Sequence, residues 1–179
     1  MHVSRPPVLT GKGQDREVRT PQSKIMSLSE AVAWRNGLRA AGDDVAVTNG
    51  CFDLLHRGHV EYLSRARELG AKLLIALNSD ASVSRIKGPT RPVVKEDDRA
   101  YMLASLEAVD AVLIFDTPTA LDVLKILEPD LYVKGGDYTV ETLVQEEYTF
   151  LTSVGCRVEL LPLVAGFSTT GVIKQVKEN

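Results

Sequence analysis

His56 and His59 stand three residues apart around Gly58, in the run Asn49-Gly50-Cys51-Phe52-Asp53-Leu54-Leu55-His56-Arg57-Gly58-His59. The run follows a short apolar stretch and precedes a helical pattern. A strand that turns through small residues into a helix start presents free backbone N–H groups and the positive end of the helix dipole, and so favours phosphate. Two imidazoles at that point add donors that can follow charge developing on a phosphoryl group. The chemistry implied is reaction at a nucleotide's phosphates. Gly50 lets backbone come close to phosphate, and Gly58 clears space at the helix start. The plainer alternative is that the histidines cap a helix and Asp53 ends a turn. A zinc site built from Cys51, His56 and His59 would need a fourth ligand, and the paired-cysteine spacing of structural zinc is absent.

Three further segments carry suitable groups. The first is Asn78-Ser79-Asp80 followed by Lys87-Gly88-Pro89-Thr90-Arg91-Pro92. Asp80 can accept from a ribose hydroxyl or cap a helix. Lys87 and Arg91 on a Gly-Pro loop can close over a polyphosphate and neutralise a leaving group, or form an ordinary solvated basic loop. Arg99 follows as a third charge, or as an ion-pair partner of Glu96 or Asp97. The second segment is Lys134-Gly135-Gly136-Asp137-Tyr138, where a lysine and a carboxylate flank two glycines and read as a ligand clamp. The third is Gly166-Phe167-Ser168-Thr169-Thr170, whose hydroxyls at a helix start offer a second anion site as well as a cap.

These segments need a scaffold. Ser27 and Glu30 fit a capping box, with apolar residues at helical spacing until Gly42. Strands are expected at residues 45–48, 73–77, 111–115, 131–133 and 157–161. Helices are expected at 60–69, 96–108, 117–127 and 141–154, the third started by Thr117-Pro118. Ser168 caps a terminal helix. Strand 73–77 is apolar at every residue, as a strand buried on both faces is. The alternation predicts a single α/β domain over residues 25–179. Its core is a doubly wound, Rossmann-like sheet of five parallel strands with helices on both faces. Ligands of such sheets bind beyond the carboxyl ends of the strands, which is where these segments fall.

Composition agrees with one soluble domain: 179 residues, 44% hydrophobic and 25% charged. The net charge of −3 gives no sign of a nucleic-acid or membrane partner. Residues 1–24 carry +3 and the remainder −6, so the leader is a disordered basic tail or an interaction arm. Two cysteines make no disulfide framework. Without a signal-peptide pattern or a membrane-length apolar run, a cytoplasmic location is expected. No P-loop, GxGxxG or GxSxG sequence occurs at the corresponding turns, which argues against P-loop NTPases, dinucleotide dehydrogenases and α/β-hydrolases.

Together the segments resemble the nucleotidyltransferases with an HxGH motif, the cytidylyltransferase-like superfamily. Thr48 to His59 is similar to its first motif, and Gly166-Phe167-Ser168-Thr169-Thr170 to its C-terminal Ser-Thr motif. Within it, the chain looks most like the D-glycero-β-D-manno-heptose 1-phosphate adenylyltransferase family. That likeness rests on Thr48-Asn49-Gly50-Cys51-Phe52-Asp53, Arg91-Pro92-Val93, Leu106-Glu107-Ala108-Val109-Asp110 and the run from Pro129 to Tyr138. It covers roughly residues 27–177. Lys95-Glu96-Asp97-Asp98 departs from it in being more acidic. Many members fuse this domain to a sugar kinase; 179 residues leave no room for one, so the stand-alone form is expected.

The resemblance implies transfer of AMP from ATP to the heptose phosphate, release of pyrophosphate, and a product used for lipopolysaccharide core or other surface glycans. Catalysis would fall to His56, His59 and Lys87. ATP would be held by Asn49, Gly50, Phe52, Gly58, Asp80, Arg91, Ser168, Thr169 and Thr170. The sugar phosphate would meet Asp53, Lys134, Gly135 and Asp137. Mg2+ would ride on the triphosphate without dedicated protein ligands. A homodimer fits the family and the small domain. The rivals are a glycerol-3-phosphate cytidylyltransferase-like or FMN adenylyltransferase-like enzyme, and a nucleotide-binding module without turnover.

Overall fold

A computed structural model describes residues 19–136, 138–162 and 169–178. In chain order these form β1 (Ile25–Met26), α1 (Leu28–Ala41), β2 (Val45–Gly50), α2 (Arg57–Glu68), β3 (Lys72–Asn78), α3 (Asp80–Lys87) and α4 (Glu96–Ala104). They continue with β4 (Ala111–Phe115), α5 (Leu121–Leu127), β5 (Leu131–Gly135), α6 (Gln145–Ser153), β6 (Arg157–Leu161) and α7 (Thr169–Glu178). The strands make one sheet in the order β1-β4-β3-β2-β5-β6, every pair parallel. The sheet thus has six strands rather than the expected five. The extra strand, Ile25–Met26, is a two-residue edge beside Val112 and Leu113, too short to show periodicity.

Side-chain alternation assigns the two faces. Leu73, Ile75 and Leu77 of β3 pack with Leu63 and Ala66 of α2 and with Ala100 and Leu103 of α4. Leu74 and Ala76 point the other way, onto Ala31 of α1, Leu124 of α5 and Leu151 of α6. Every residue of β3 after Lys72 is buried, because helices cover both faces. Each fully buried leucine is worth about 1.5–3 kcal/mol relative to exposure, so this central strand dominates the core.

Strand order runs away from β2 in both directions, to β3 on one side and β5 on the other. The switch point therefore lies at the carboxyl ends of β2 and β5, at Asn49-Gly50 and Lys134-Gly135. A buried bracket fixes the opposite end of that strand pair. Arg35 of α1, 2% exposed, donates to Glu128 O and Asp130 Oδ1, and Asp130 Oδ2 accepts the N–H of Val45.

Local starts and stops follow chemistry, with departures; the helix expected at 96–108 ends at Ala104, and the one expected at 141–154 begins at Gln145. Ser27 and Glu30 form the expected capping box, and Gly42 ends α1 in the left-handed conformation. Residues 80–87, expected as part of a loop, are helix α3, capped by Ser79, whose side chain accepts from Ser82 N–H. Helix α5 begins at Leu121, not at Thr117-Pro118; Thr117 Oγ1 instead donates to Thr119 O in the preceding turn. Regular structure is also present ahead of residue 25. Pro21–Lys24 form a 3-10 turn, and Lys24 Nζ donates to the carbonyls of Leu106 and Val109 beyond α4. Among the described residues no helix is long and apolar enough to cross a membrane.

Candidate functional site

A cleft of about 620 Å3 opens at the switch point. Its walls include Asn49, Gly50, Phe52, Asp53, His56, Gly58, His59, Lys87, Arg91, Lys134, Gly135 and Thr169, so one cavity gathers most residues singled out by sequence. Asp137 and Ser168 lie outside the described residues, as does the side chain of Thr170.

The loop after β2 makes the floor. Gly50 is required by contact: a Cβ there would sit 2.9 Å from the Phe52 ring. Phe52 itself takes a positive φ of 43°, which turns the chain sharply toward α2. His56 is the N-cap of α2 and His59 lies in its first turn, so their rings fall on one side of the helix start. They stack at 3.9 Å between centroids and 15° between planes, with Phe52 at 5.2 Å from His59. Burial lowers the His56 pKa. Burial, then the charge of His56, holds His59 down at about 4. Two stacked imidazoles beside a helix N-terminus resist protonation until an anion arrives to favour it. Among the described residues no group of three His, Cys, Asp or Glu side chains is arranged to hold a metal ion, so the Cys51-His56-His59 set does not form.

The cationic rim comes from the far side. Lys87 ends α3 and is exposed, and Arg91 lies beyond it in the following loop. Asp53, 2% exposed, fixes that loop. Its Oδ2 accepts Arg91 Nε at 2.5 Å, and its Oδ1 accepts the N–H groups of Val93 and Val94 at 2.8 and 3.0 Å. The carboxylate expected to meet the sugar phosphate is thus spent on the rim loop, although it still borders the cleft.

Asp80 is displaced further from its expected role. It is absent from the described residues that line the cleft, and its Oδ1 accepts Arg99 Nη2 at 2.9 Å. Arg99 pairs with it rather than with Glu96 or Asp97. The fully buried Arg99 guanidinium also donates to Cys51 O, Asn78 O and Val94 O. Glu96 instead accepts the N–H of Asp80 at the start of α3.

On the β5 side, Lys134 Nζ and Tyr132 OH both donate to Asn49 Oδ1 at 2.7 Å, joining the strands across the switch point. Burial lowers the Lys134 pKa, and the Glu147 charge opposes that shift. Gly135 serves packing as well as the cleft: a Cβ there would lie 2.5 Å from the Tyr62 ring. The Tyr62 hydroxyl lies 2.7 Å from Thr48 Oγ1 and donates to Val133 O. Thr169 opens α7 at the cleft edge, its hydroxyl 3.5 Å from Leu54 O. Sequence reasoning missed Glu147, Tyr132 and Tyr62, which line or brace this wall. All three sit inside regular elements, where nothing in the local pattern separates them from core residues.

The arrangement suits an anion: among the described lining residues, Lys87, Arg91, Lys134 and two histidines stand against two carboxylates that are already hydrogen-bonded. Ile86, Phe115 and Pro118 add an apolar wall suited to a flat ring.

Residues 47–175 match the sequence model of the family described as cytidylyltransferase-like. The bifunctional protein HldE of Trichlorobacter lovleyi is 49% identical over 165 residues, covering 90% of this chain and 33% of that protein. The bifunctional protein HldE of Syntrophotalea carbinolica is 52% identical over 138 residues, covering 77% of this chain and 28% of its own length. The chain spans about a third of the length of these curated relatives. The crystal structure of the lipopolysaccharide core biosynthesis protein from Thermoplasma volcanium GSS1 superposes with a TM-score of 0.55 at 24% identity. It covers 68% of this chain and 96% of that one, a likeness of fold. The matched segment runs from β2 into α7 and contains every described residue that lines the cleft, so the chain belongs to the cytidylyltransferase-like family.

Proposed function

We propose that the protein is a nucleotidyltransferase that moves AMP from ATP to D-glycero-β-D-manno-heptose 1-phosphate, giving ADP-heptose for lipopolysaccharide core or surface glycan. The observation that carries the reaction type is the stacked His56–His59 pair at the start of α2, facing Lys87, Arg91 and Lys134 across one cleft. The acceptor is supported by the resemblance at Arg91-Pro92-Val93 and Pro129 to Tyr138, and by identity near 50% to the HldE proteins.

In this reading an oxygen of the sugar phosphate attacks the α-phosphorus of ATP in line. A new P–O bond forms, the bond to the bridging oxygen breaks, and pyrophosphate leaves. No covalent enzyme intermediate is needed; positioning and charge stabilisation carry the rate. His56 and His59 donate to the α-phosphoryl oxygens as charge grows there. Asn49, Gly50, Phe52 and Gly58 hold the phosphates near the helix start. Lys87 and Arg91 neutralise the departing pyrophosphate. Ser168, Thr169 and Thr170 close the far side, while Lys134, Gly135 and Asp137 receive the sugar phosphate. Asp53 acts by holding Arg91, and Asp80 by holding Arg99.

Mg2+ fits as part of the nucleotide. The two described carboxylates at the cleft are engaged by Arg91 and by Ala120 N–H, so the ion would be held by the phosphates and would supply positive charge to offset theirs. The reading extends to a cytoplasmic homodimer, checked by sedimentation.

The test is pyrophosphate release with the heptose phosphate, Mg2+ and each of ATP, CTP and GTP. Release with ATP alone supports the reading. Release with CTP, or only with glycerol 3-phosphate or FMN as acceptor, moves the assignment to another member of the family. No release with any pairing overturns it in favour of a binding module.

A further inference from the structure

Glu147 lies on α6, 3% exposed, and its carboxylate borders the cleft. Oε1 accepts the N–H of Ala120 at 2.8 Å, at the start of α5, where alanine has no side-chain oxygen of its own to cap with. Oε2 accepts from the Tyr132 hydroxyl at 3.3 Å. That hydroxyl shares its one proton between Glu147 and Asn49 Oδ1, the latter at 2.7 Å. Lys134 Nζ donates to the same amide oxygen, also at 2.7 Å. With Oδ1 held by two donors, the Asn49 amide cannot flip without losing both, and its Nδ2 remains a donor for an anion.

The groups around Lys134 come from five segments. Glu147 belongs to α6, Asn49 to β2 and Cys51 to the loop after it. Tyr132 is on β5, with its ring centroid 5.9 Å from Nζ, and Tyr138 follows β5 at 5.3 Å. Among the described residues lining the cleft, Glu147 and Asp53 are the carboxylates, and Asp53 is committed to Arg91. Among the described residues, Glu147 is therefore the carboxylate that bears on Lys134. It acts through the Tyr132–Asn49 bridge and through space.

We propose that Glu147 is the positioning residue of the acceptor side: without touching the phosphorylated acceptor, it keeps Lys134 cationic and, through the Tyr132–Asn49 bridge, held in place for that phosphate. The inference rests on the nucleotidyltransferase reading.

The test is Glu147→Gln in the full chain. Glutamine keeps an oxygen for Ala120 N–H and removes the charge. The first readout is independent of activity: the pH titration of the Lys134 13Cε shift, assigned by its loss in Lys134→Arg. The expected midpoint falls by about one pH unit; an unchanged midpoint overturns the proposal. The second readout is kinetic. Above the lowered midpoint, Glu147→Gln is expected to raise KM for the sugar phosphate about tenfold, with KM for ATP within about twofold, and a lower pH restores it. A loss that pH does not restore marks a merely structural role and overturns the proposal. If Glu147→Gln does not fold, Tyr132→Phe carries the test. It breaks the bridge and leaves the α5 cap, so acceptor KM rises by about three- to tenfold, the worth of one hydrogen bond; wild-type KM overturns the proposal. A wild-type enzyme without turnover on any acceptor would defeat the functional reading, while the lysine titration would still decide the role of Glu147.

Discussion

Arg99 Nη1 donates to the carbonyl oxygen of Cys51 at 2.6 Å, tying α4 to the phosphate loop 48 residues earlier. The same guanidinium reaches Asn78 O at the end of β3, Val94 O on the rim loop and Asp80 of α3. Four segments that shape the cleft thus depend on one fully buried side chain. Removing it strands three carbonyls and leaves the Asp80 carboxylate, among the described residues, with the ion pair to Lys95. Arg99→Met is expected to cost about 3–5 kcal/mol, as breaking a buried pair does. Arg99→Lys keeps the charge but loses the fork, and recovers only part of this. Urea unfolding of the three proteins measures it, and a loss under about 1 kcal/mol for Arg99→Met would show that the bracket is dispensable.

The stacked histidines are expected to act as a unit. At 3.9 Å between centroids, the rings fix one another's position, and the charge of His56 lowers the proton affinity of His59. His56→Ala and His59→Ala should each lower kcat by about 10²–10³, the usual cost of a transition-state donor. Residues acting as one are not additive, so the double variant should lose little more than the worse single. Single-turnover rates of all three decide this, and losses that multiply would mean two independent donors.

Asp53 and the rim loop give a prediction without turnover. The Val93 and Val94 N–H groups both donate to Asp53 Oδ1. Asp53→Ala should leave these amides exchanging with solvent at least about tenfold faster, in proportion to the lost hydrogen bonds. Amides of β3, held by the sheet, should keep wild-type protection. Hydrogen exchange read residue by residue tests this. Unchanged protection at both valines would place the ordering of the loop elsewhere.

The parts of this architecture that sequence reveals are those where local pattern and tertiary role coincide. The capping box at Ser27 and Glu30, the apolar run of β3 and the small-residue turn at Asn49-Gly50 are each legible within a few residues. The histidine pair is legible too, because helical spacing alone brings positions three apart together. What escapes is decided by distant partners. Asp53 and Asp80 stand at strand ends like ligand contacts, but Arg91, 38 residues on from Asp53, and Arg99, 19 on from Asp80, claim them. Glu147 sits in a helix among other acidic residues, and only its meeting with Ala120 and Tyr132 sets it apart. Helix α3 has local signals, Ser79 before Asp80 as a start and Gly88 after Lys87 as a stop, but its sparse apolar residues and the following proline look like a loop.

The depressed His59 titration makes a pH prediction whose sign can be worked out. The folded protein holds this half-buried ring near a pKa of about 4, whereas an unfolded histidine titrates near 6.5. Between those values the unfolded chain binds more protons than the folded one, so stability rises with pH across the window. The contribution is fully present above pH 6.5 and is lost as pH falls toward 4. The full shift corresponds to about 3 kcal/mol; because the ring keeps some solvent contact, about 1–2 kcal/mol is expected. His59→Gln, which does not titrate, should be flatter by that amount between pH 7 and pH 4.5. Both proteins are unfolded in urea at the two pH values and the differences compared. Parallel pH dependence would mean that His59 titrates normally in the folded protein and that the stacked pair does not exclude the proton. A flatter variant would support a neutral pair that takes up charge only when phosphate arrives, the state the proposed reaction requires of it.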